Sequence, residues 1–153
     1  MRVIAYTMQF CGEMPQHSDL NCIPFEKTYF EEYKTIYNEC FHEMREALDI
    51  KPYDYLSSFE QIEGKADSIY LLIRNGEIAG SVSCLGNEID DLIVSPQYRG
   101  KGYGRALLLW AAERIMNATG GPVTLHVAEW NENAIRLYKK AGFSIIKTEC
   151  VRE

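Results

Sequence analysis

The residues best suited to chemistry lie in one stretch, Glu88-Ile-Asp-Asp-Leu-Ile-Val-Ser-Pro-Gln-Tyr-Arg-Gly-Lys-Gly-Tyr-Gly-Arg-Ala-Leu-Leu108. Gly100, Gly102 and Gly104 alternate with larger residues, which bares consecutive backbone N–H groups. A helix begins where those groups converge, and a helix N-terminus carries roughly half a positive charge with unpaired donors. Arg99, Lys101 and Arg105 add full positive charge, so the loop reads as a cradle for a phosphate or pyrophosphate. Upstream stand three acids, Glu88, Asp90 and Asp91. Strand alternation puts Glu88 and Asp90 on one face and Asp91 on the other. They suit a proton acceptor or a lure for a cation; equally, they suit solvated charge at a strand end. His126 is a further candidate proton acceptor.

The elements that must position these groups follow from local pattern. Residues 2–8 favour a strand. Residues 9–27 (Gly12, Pro15, Asn21 and Pro24 among them) show neither period and read as a long loop, either a surface excursion or a substrate-contacting segment. Thr28 with Glu31 forms a capping-box pattern, opening a helix that ends near Asp49 ahead of Pro52. Its stripe holds Tyr29, Tyr33, Tyr37 and Phe41, read as core, with one or two tyrosines lining a pocket as the alternative. A short helix is expected over 55–62, with Gly64 as its stop. Strands follow at 69–74, 77–84 and 88–94, the first pair joined by the hairpin signal Asn75-Gly76. Then come a helix over 103–118, a strand over 123–128, a helix over 131–141 and a last strand over 143–150. This predicts one α+β domain, residues 1–153, an α/β/α sandwich on a mixed, mostly antiparallel sheet of about six strands with four helices.

The totals narrow the class. A chain of 153 residues, 46% apolar and 25% charged, forms an ordinary globular core. A net charge of −6 disfavours nucleic acid and leaves cationic substrates open. No apolar run approaches the roughly 20 residues of a membrane span, and the first one is too short for a signal peptide. Five cysteines without a Cys-x-x-Cys pair fit a reduced, cytoplasmic protein. The three histidines fall in no metal-binding spacing, so no metal is expected.

The loop is neither a P-loop, which needs Gly-x-x-x-x-Gly-Lys-[Ser/Thr], nor a dinucleotide fingerprint, whose third glycine would fall at Arg105 or Leu107. Arg99-x-x-Gly102-x-Gly104, between a strand and a helix, resembles the acetyl-CoA loop of the GNAT superfamily of N-acetyltransferases. A second segment, Asn131-Glu-Asn-Ala134-Ile-Arg-Leu137-Tyr138-Lys-Lys-Ala-Gly142-Phe143, resembles that family's Asn-x-x-Ala-x-x-Leu-Tyr-x-x-x-Gly-Phe signature, one strand downstream. The resemblance covers residues 68–150; the front of the chain matches only in element order.

The resemblance implies a GNAT fold and the transfer of an acetyl group from acetyl-CoA to a primary amine of a small molecule or peptide. It places the pyrophosphate on the amides of Arg99, Gly100, Lys101, Gly102, Tyr103, Gly104 and Arg105. The pantetheine arm pairs with the strand edge Leu92-Ile93-Val94 and touches Asn131 and Ala134. Ile93 or Val94 offers an oxyanion donor, and Tyr138 is the acid for the leaving thiolate. By its distance from the loop Glu88 aligns with the family's basic glutamate, with Asp90 second. A CoA-binding regulatory module without turnover and a nucleotide-binding protein are the rival readings. The family ends with two strands after Gly-Phe, whereas this chain has room for one. Either that strand stands alone near 123–128 or a second copy of the chain supplies its neighbour, as a homodimer through 143–150.

Overall fold

The computed structural model describes residues 2–153; Met1 lies outside the described residues. Seven strands form one sheet: β1 (Val3–Phe10), β2 (Ile23–Pro24), β3 (Ile69–Arg74), β4 (Glu77–Leu85), β5 (Glu88–Val94), β6 (Thr124–Ala128) and β7 (Phe143–Arg152). Their order across the sheet is β2-β3-β4-β5-β6-β1-β7. Only β5 and β6 run parallel. Three α-helices cover the sheet: α1 (Phe30–Ala47), α2 (Tyr103–Thr119) and α3 (Glu132–Lys140). This is the expected layered α+β fold, with one two-residue strand more than anticipated.

Two cores lie on opposite faces. Leu107, Leu108, Ala111 and Ile115 of α2 pack with Met8, Val82, Ile89, Leu125 and Phe143. Tyr33 and Ile36 of α1 pack with Phe25, Leu71, Ile78 and Ile93. The aromatic stripe of α1 is thus mainly core, as Tyr33 is fully buried; Phe41 alone of the four reaches the cavity described below.

Local departures have physical causes. Thr28 forms no cap. A 3-10 turn over Lys27–Tyr29 leads straight into α1, whose N-cap is Tyr29 with no side-chain bond. The short helix expected over 55–62 is instead a pair of 3-10 turns, Phe59–Gln61 and Glu63–Ser68. Gln61 Oε1 accepts from the N–H groups of Ser57 and Ser58, and Asn38 bonds both backbone groups of Leu56. These side-chain bonds satisfy the backbone locally and compete with a longer helix.

The N-terminal strand corrects the expectation for the chain's end. β7 neither stands alone nor relies on a second copy for its neighbour: β1 lies between β6 and β7, antiparallel to both. The next strand, β2, lies at the opposite edge beside β3. Residues 11–22 must therefore pass β6, β5, β4 and β3 to reach it, which explains their length. They cross over α2, where Ser18 donates to the Ala106 carbonyl (2.9 Å), His17 meets Glu113 (2.9 Å) and Arg105 donates to Gln16 (2.9 Å).

Candidate active site

The cleft starts where β5 and β6 part. They pair only at Glu88↔Thr124 and Ile89↔Leu125. Beyond that rung β5 bends away, because a register shift places Ser81 opposite Ile93 and Ser83 opposite Asp90. Asp91, the extra residue, has φ of 45°, a left-handed conformation that costs a non-glycine residue. The bulge also resets the alternation: Ile89 faces the α2 core, while Ile93 faces the α1 core. Asp91 is thereby turned to the same side as Asp90, against the strict alternation expected from sequence. Lys65 shows it, with Nζ 3.1 Å from Asp91 and 3.8 Å from Asp90.

A cavity of about 1450 Å³ fills the opening. Its floor is Asp90 to Val94. One wall is α1, with Glu39, Cys40, Phe41, Glu43 and Met44. The other is β6 and α3, with His126 to Ala134, Leu137 and Tyr138. Arg99, Gly100, Gly102, Tyr103 and Gly104 close one end, and Arg2 to Ile4 of the first strand also line it. Residues 9–27 do not contribute.

At the loop end the donors are backbone. Gly100 and Gly102 have φ of 77° and 84°, and a Cβ on either would meet nothing within 4 Å. Gly102 is the N-cap of α2 and offers no capping side chain. The first-turn amides of that helix have no acceptor among the described residues. Free amides around open space at a helix N-terminus fit a pyrophosphate. The charged side chains contribute unevenly. Lys101 is exposed outside the cavity, Arg105 is turned to Gln16, and Arg99 reaches back to the Val94 carbonyl (3.4 Å) and Cys40 Sγ (3.6 Å).

That carbonyl fixes the strand's outer edge. Val94 O accepts from Cys40 and Arg99, so it points into the cleft, whereas the neighbouring Ser95 N–H bonds Ala79 of β4. Alternation gives Leu92 and Val94 to the cleft and Ile93 to β4. Asn131 is the N-cap of α3; its Oδ1 accepts from Ala134 N (3.3 Å), and the residue lines the cavity. Tyr138 lines the cavity with its ring 6.5 Å from Phe143. Its hydroxyl has no protein partner among the described residues, and burial pushes its pKa up to about 12.

The opposite end is made of side chains. Burial raises the Asp91 pKa, with Asp90 adding to it and Lys65 opposing. Burial alone would lower Lys65, but Asp91 and Asp90 outweigh it and leave Lys65 raised. The buried hydroxyl of Ser83 has no hydrogen-bond partner among the described residues, and Ser83 is the cross-strand neighbour of Asp90. Glu88 does not line the cavity: its Oε1 lies 2.9 Å from His126 Nε2, and His126 Nδ1 lies 3.1 Å from Thr7 Oγ1. Lys65 and Thr7 are the residues of this end that sequence reasoning did not single out. The doubled acid Asp90-Asp91 was the only signal of a bulge; nothing local links Lys65 or Thr7 to it.

A sandwich split between two parallel strands, with an amide cradle at one end and acids at the other, is the architecture of a GNAT-type acetyltransferase. The chain belongs to the GNAT acetyltransferase family, whose model matches residues 30–143. It is 39% identical over 54 residues to the thialysine N-epsilon-acetyltransferase of Mus musculus, covering 35% of this chain and 32% of that protein. It is 36% identical over 62 residues to the L-ornithine N5-acetyltransferase of Arabidopsis thaliana, covering 40% and 27%. The chain thus spans about a third of the curated relatives it matches. Among solved structures, a putative GNAT-family acetyltransferase from Novosphingobium aromaticivorans superposes with a TM-score of 0.70 at 20% identity, over 97% of this chain and 62% of that one. A GCN5-related N-acetyltransferase from Sphaerobacter thermophilus gives 0.72 at 18%, over 96% and 50%. At these identities the likeness is one of fold.

Proposed function

We propose that residues 1–153 act as one N-acetyltransferase domain that moves an acetyl group from acetyl-CoA to a primary amine in a ternary complex. The observation that carries this is the continuous cleft from the free amides at Gly100–Tyr103 to the acids Asp90 and Asp91. Acetyl-CoA supplies an activated thioester. The amides of Arg99 to Arg105 hold its pyrophosphate, with Lys101 and Arg99 as nearby positive charges. Arg99 reaches the phosphates only by leaving Val94 O. The outward groups of Leu92 and Val94 pair with the pantetheine, and the amide of Asn131 and the small Ala134 border it. Of the two expected oxyanion donors, Val94 rather than Ile93 faces the reaction. Tyr138 donates the proton to the departing sulfur: its half-buried phenol, whose pKa desolvation raises, stays protonated at neutral pH.

The acceptor is a small cationic amine or a peptide amine. Glu39, Glu43, Asp90 and Asp91 line its side of the cavity. The relatives' names place their acetyl groups on thialysine and ornithine nitrogens, which accords with a cationic acceptor. The attacking nitrogen must be neutral although alkyl amines have pKa values of roughly 10, so a base is required. Glu88 and Asp90 are the strand acids expected to supply it, directly or through a water. We further infer a cytoplasmic protein. A homodimer through the outer edge of β7 is the accompanying proposal, since Ile146 and Val151 stand 55% and 60% exposed there. Light scattering showing monomer at high micromolar concentration would remove the dimer.

A thiol-release screen of acetyl-CoA with amines, polyamines, aminoglycosides and peptides tests the main reading, with turnover of a cationic amine expected. Binding of acetyl-CoA with no acceptor acetylated would favour a regulatory CoA-binding module instead. Thermal stabilisation by ATP or NAD but not by acetyl-CoA would favour a nucleotide site.

A further inference from the structure

We propose that His126 takes the proton from the acceptor amine, and that Glu88 is its positioning residue, acting through the imidazole rather than on the substrate. This rests on the acetyl-transfer reading above and assigns its base. The location comes from the sheet. Ile89↔Leu125 is the last rung between β5 and β6, and His126 is the next residue of β6. It therefore stands at the apex where the strands part, and it lines the cavity. Glu88, one step outside the cavity, ends 2.9 Å from Nε2. Thr7, on the inserted first strand and paired in register with His126, ends 3.1 Å from Nδ1.

These contacts set the tautomer. An ionised carboxylate only accepts hydrogen bonds, so Nε2 carries the hydrogen and Nδ1 keeps its lone pair for the Thr7 hydroxyl. Nδ1 is thus the basic atom, masked by a hydroxyl that can rotate away. Asp90 and Asp91 are less suited to the task, because both already share the Lys65 ammonium. Lys147 and Glu149 of β7 also lie on this face and pair with each other at 3.5 Å; Arg152 donates to the Asp49 carbonyl after α1, and Glu39, Glu43 and Arg2 line the same cavity. In the step, Thr7 turns aside and His126 Nδ1 accepts a proton from the acceptor's ammonium. The freed electron pair on nitrogen forms the carbon–nitrogen bond. Tyr138 gives its proton to sulfur as the carbon–sulfur bond breaks with its electron pair. The imidazolium, held beside Glu88, then releases its proton to water, and Tyr138 recovers one from the acetylated nitrogen through solvent.

The test joins kinetics to a spectrum. His126 is half-exposed, so His126→Ala should fold. It should lower kcat by about 100-fold or more, with the acceptor KM within about threefold, and added imidazole should restore part of the rate. Long-range ¹H–¹⁵N spectra of the wild type should show the Nε2–H tautomer of His126, and Glu88→Gln should populate the Nδ1–H form. Turnover of His126→Ala within about twofold of wild type, or an Nδ1–H tautomer in the wild type, would overturn the proposal. If the wild type turned over no amine at all, the acetyl-transfer reading would fall. The spectrum would still decide whether Glu88 sets the ring.

Discussion

The two ends of the cleft are built from different materials. The loop end is backbone: the amides after Arg99, the outward groups of Leu92 and Val94, and two glycines with positive φ. The acid end is side chain: Asp90 and Asp91 from β5, Lys65 from a 3-10 turn, His126 from β6 and Thr7 from β1. A backbone site depends on the path of the chain and on small residues that leave it bare. It therefore suits a ligand group that does not vary, such as a pyrophosphate. A side-chain site can be rebuilt by exchanging residues on separate elements while the path stays fixed. On this account the loop end sets what the cleft holds in common with its family, and the acid end sets the acceptor.

Tyr138 stands between the two ends, and its substitution should have the largest effect. Tyr138→Phe removes a hydroxyl of a half-buried, cavity-lining residue that bonds to no described residue, so thermal stability should hold. If the phenol protonates the leaving sulfur, kcat should fall by about 100-fold or more. Stopped-flow thiol release and a thermal melt together decide it. An unchanged kcat would leave Tyr138 as packing against Phe143 and would move the acid elsewhere.

Next in size is an attack on the backbone end alone. Gly102 sits at φ of 84°, with nothing within 4 Å of where a Cβ would stand. A side chain there is tolerated sterically but strains the backbone by roughly 1–2 kcal/mol, so the loop would move off its path. Gly102→Val should weaken acetyl-CoA binding about tenfold by calorimetry and leave the acceptor KM unchanged. An equal rise in both constants would show that the two ends are not separable.

The same difference governs what could be read in advance. The loop was legible because the glycines report a geometric demand, and α2 and α3 because their apolar spacing and stops are local. The bulge was not, because one extra residue in Glu88–Val94 leaves its composition unchanged yet turns Asp91 to the other face. Nor was the place of β1 legible: strand propensity marks Val3–Phe10 as extended but names no neighbours. The length of the loop after it was the trace of its position, since residues 11–22 cross from one side of the sheet to the other. Glu88 was found by counting back from the loop, but its partner His126 lies on another strand and came together with it only through the fold.

A smaller effect is expected at the acid end from Asp91→Asn. Burial and Asp90 raise the folded pKa of Asp91 above its unfolded value. The folded state therefore binds the proton more tightly, and stability falls as pH rises through the interval between the two values. At pH 7 the ionised carboxylate is a cost to the fold, and a neutral side chain removes it. Asn also tolerates the positive φ at this position better than most residues. Asp91→Asn should melt higher than wild type at pH 7, with the gain shrinking toward pH 3, while the KM of a cationic acceptor rises a few-fold. A lower melting temperature at neutral pH would mean that the Lys65 pair outweighs the burial cost.

Asn131 should give the smallest effect, and it tests whether a residue on the border serves the fold, the cofactor or both. Its Oδ1 caps α3, and the residue also lines the cavity. Asn131→Ala loses both functions and should cost about 1 kcal/mol of stability. Asn131→Asp keeps the capping oxygen, and its charge suits a helix N-terminus, so the melting temperature should stay near that of wild type. It has no donor to offer, however. If the amide reaches the pantetheine, Asn131→Asp should bind acetyl-CoA several-fold more weakly despite its intact helix. If affinity and stability both match wild type, Asn131 is a cap only, and the backbone end of the cleft holds its ligand without this side chain.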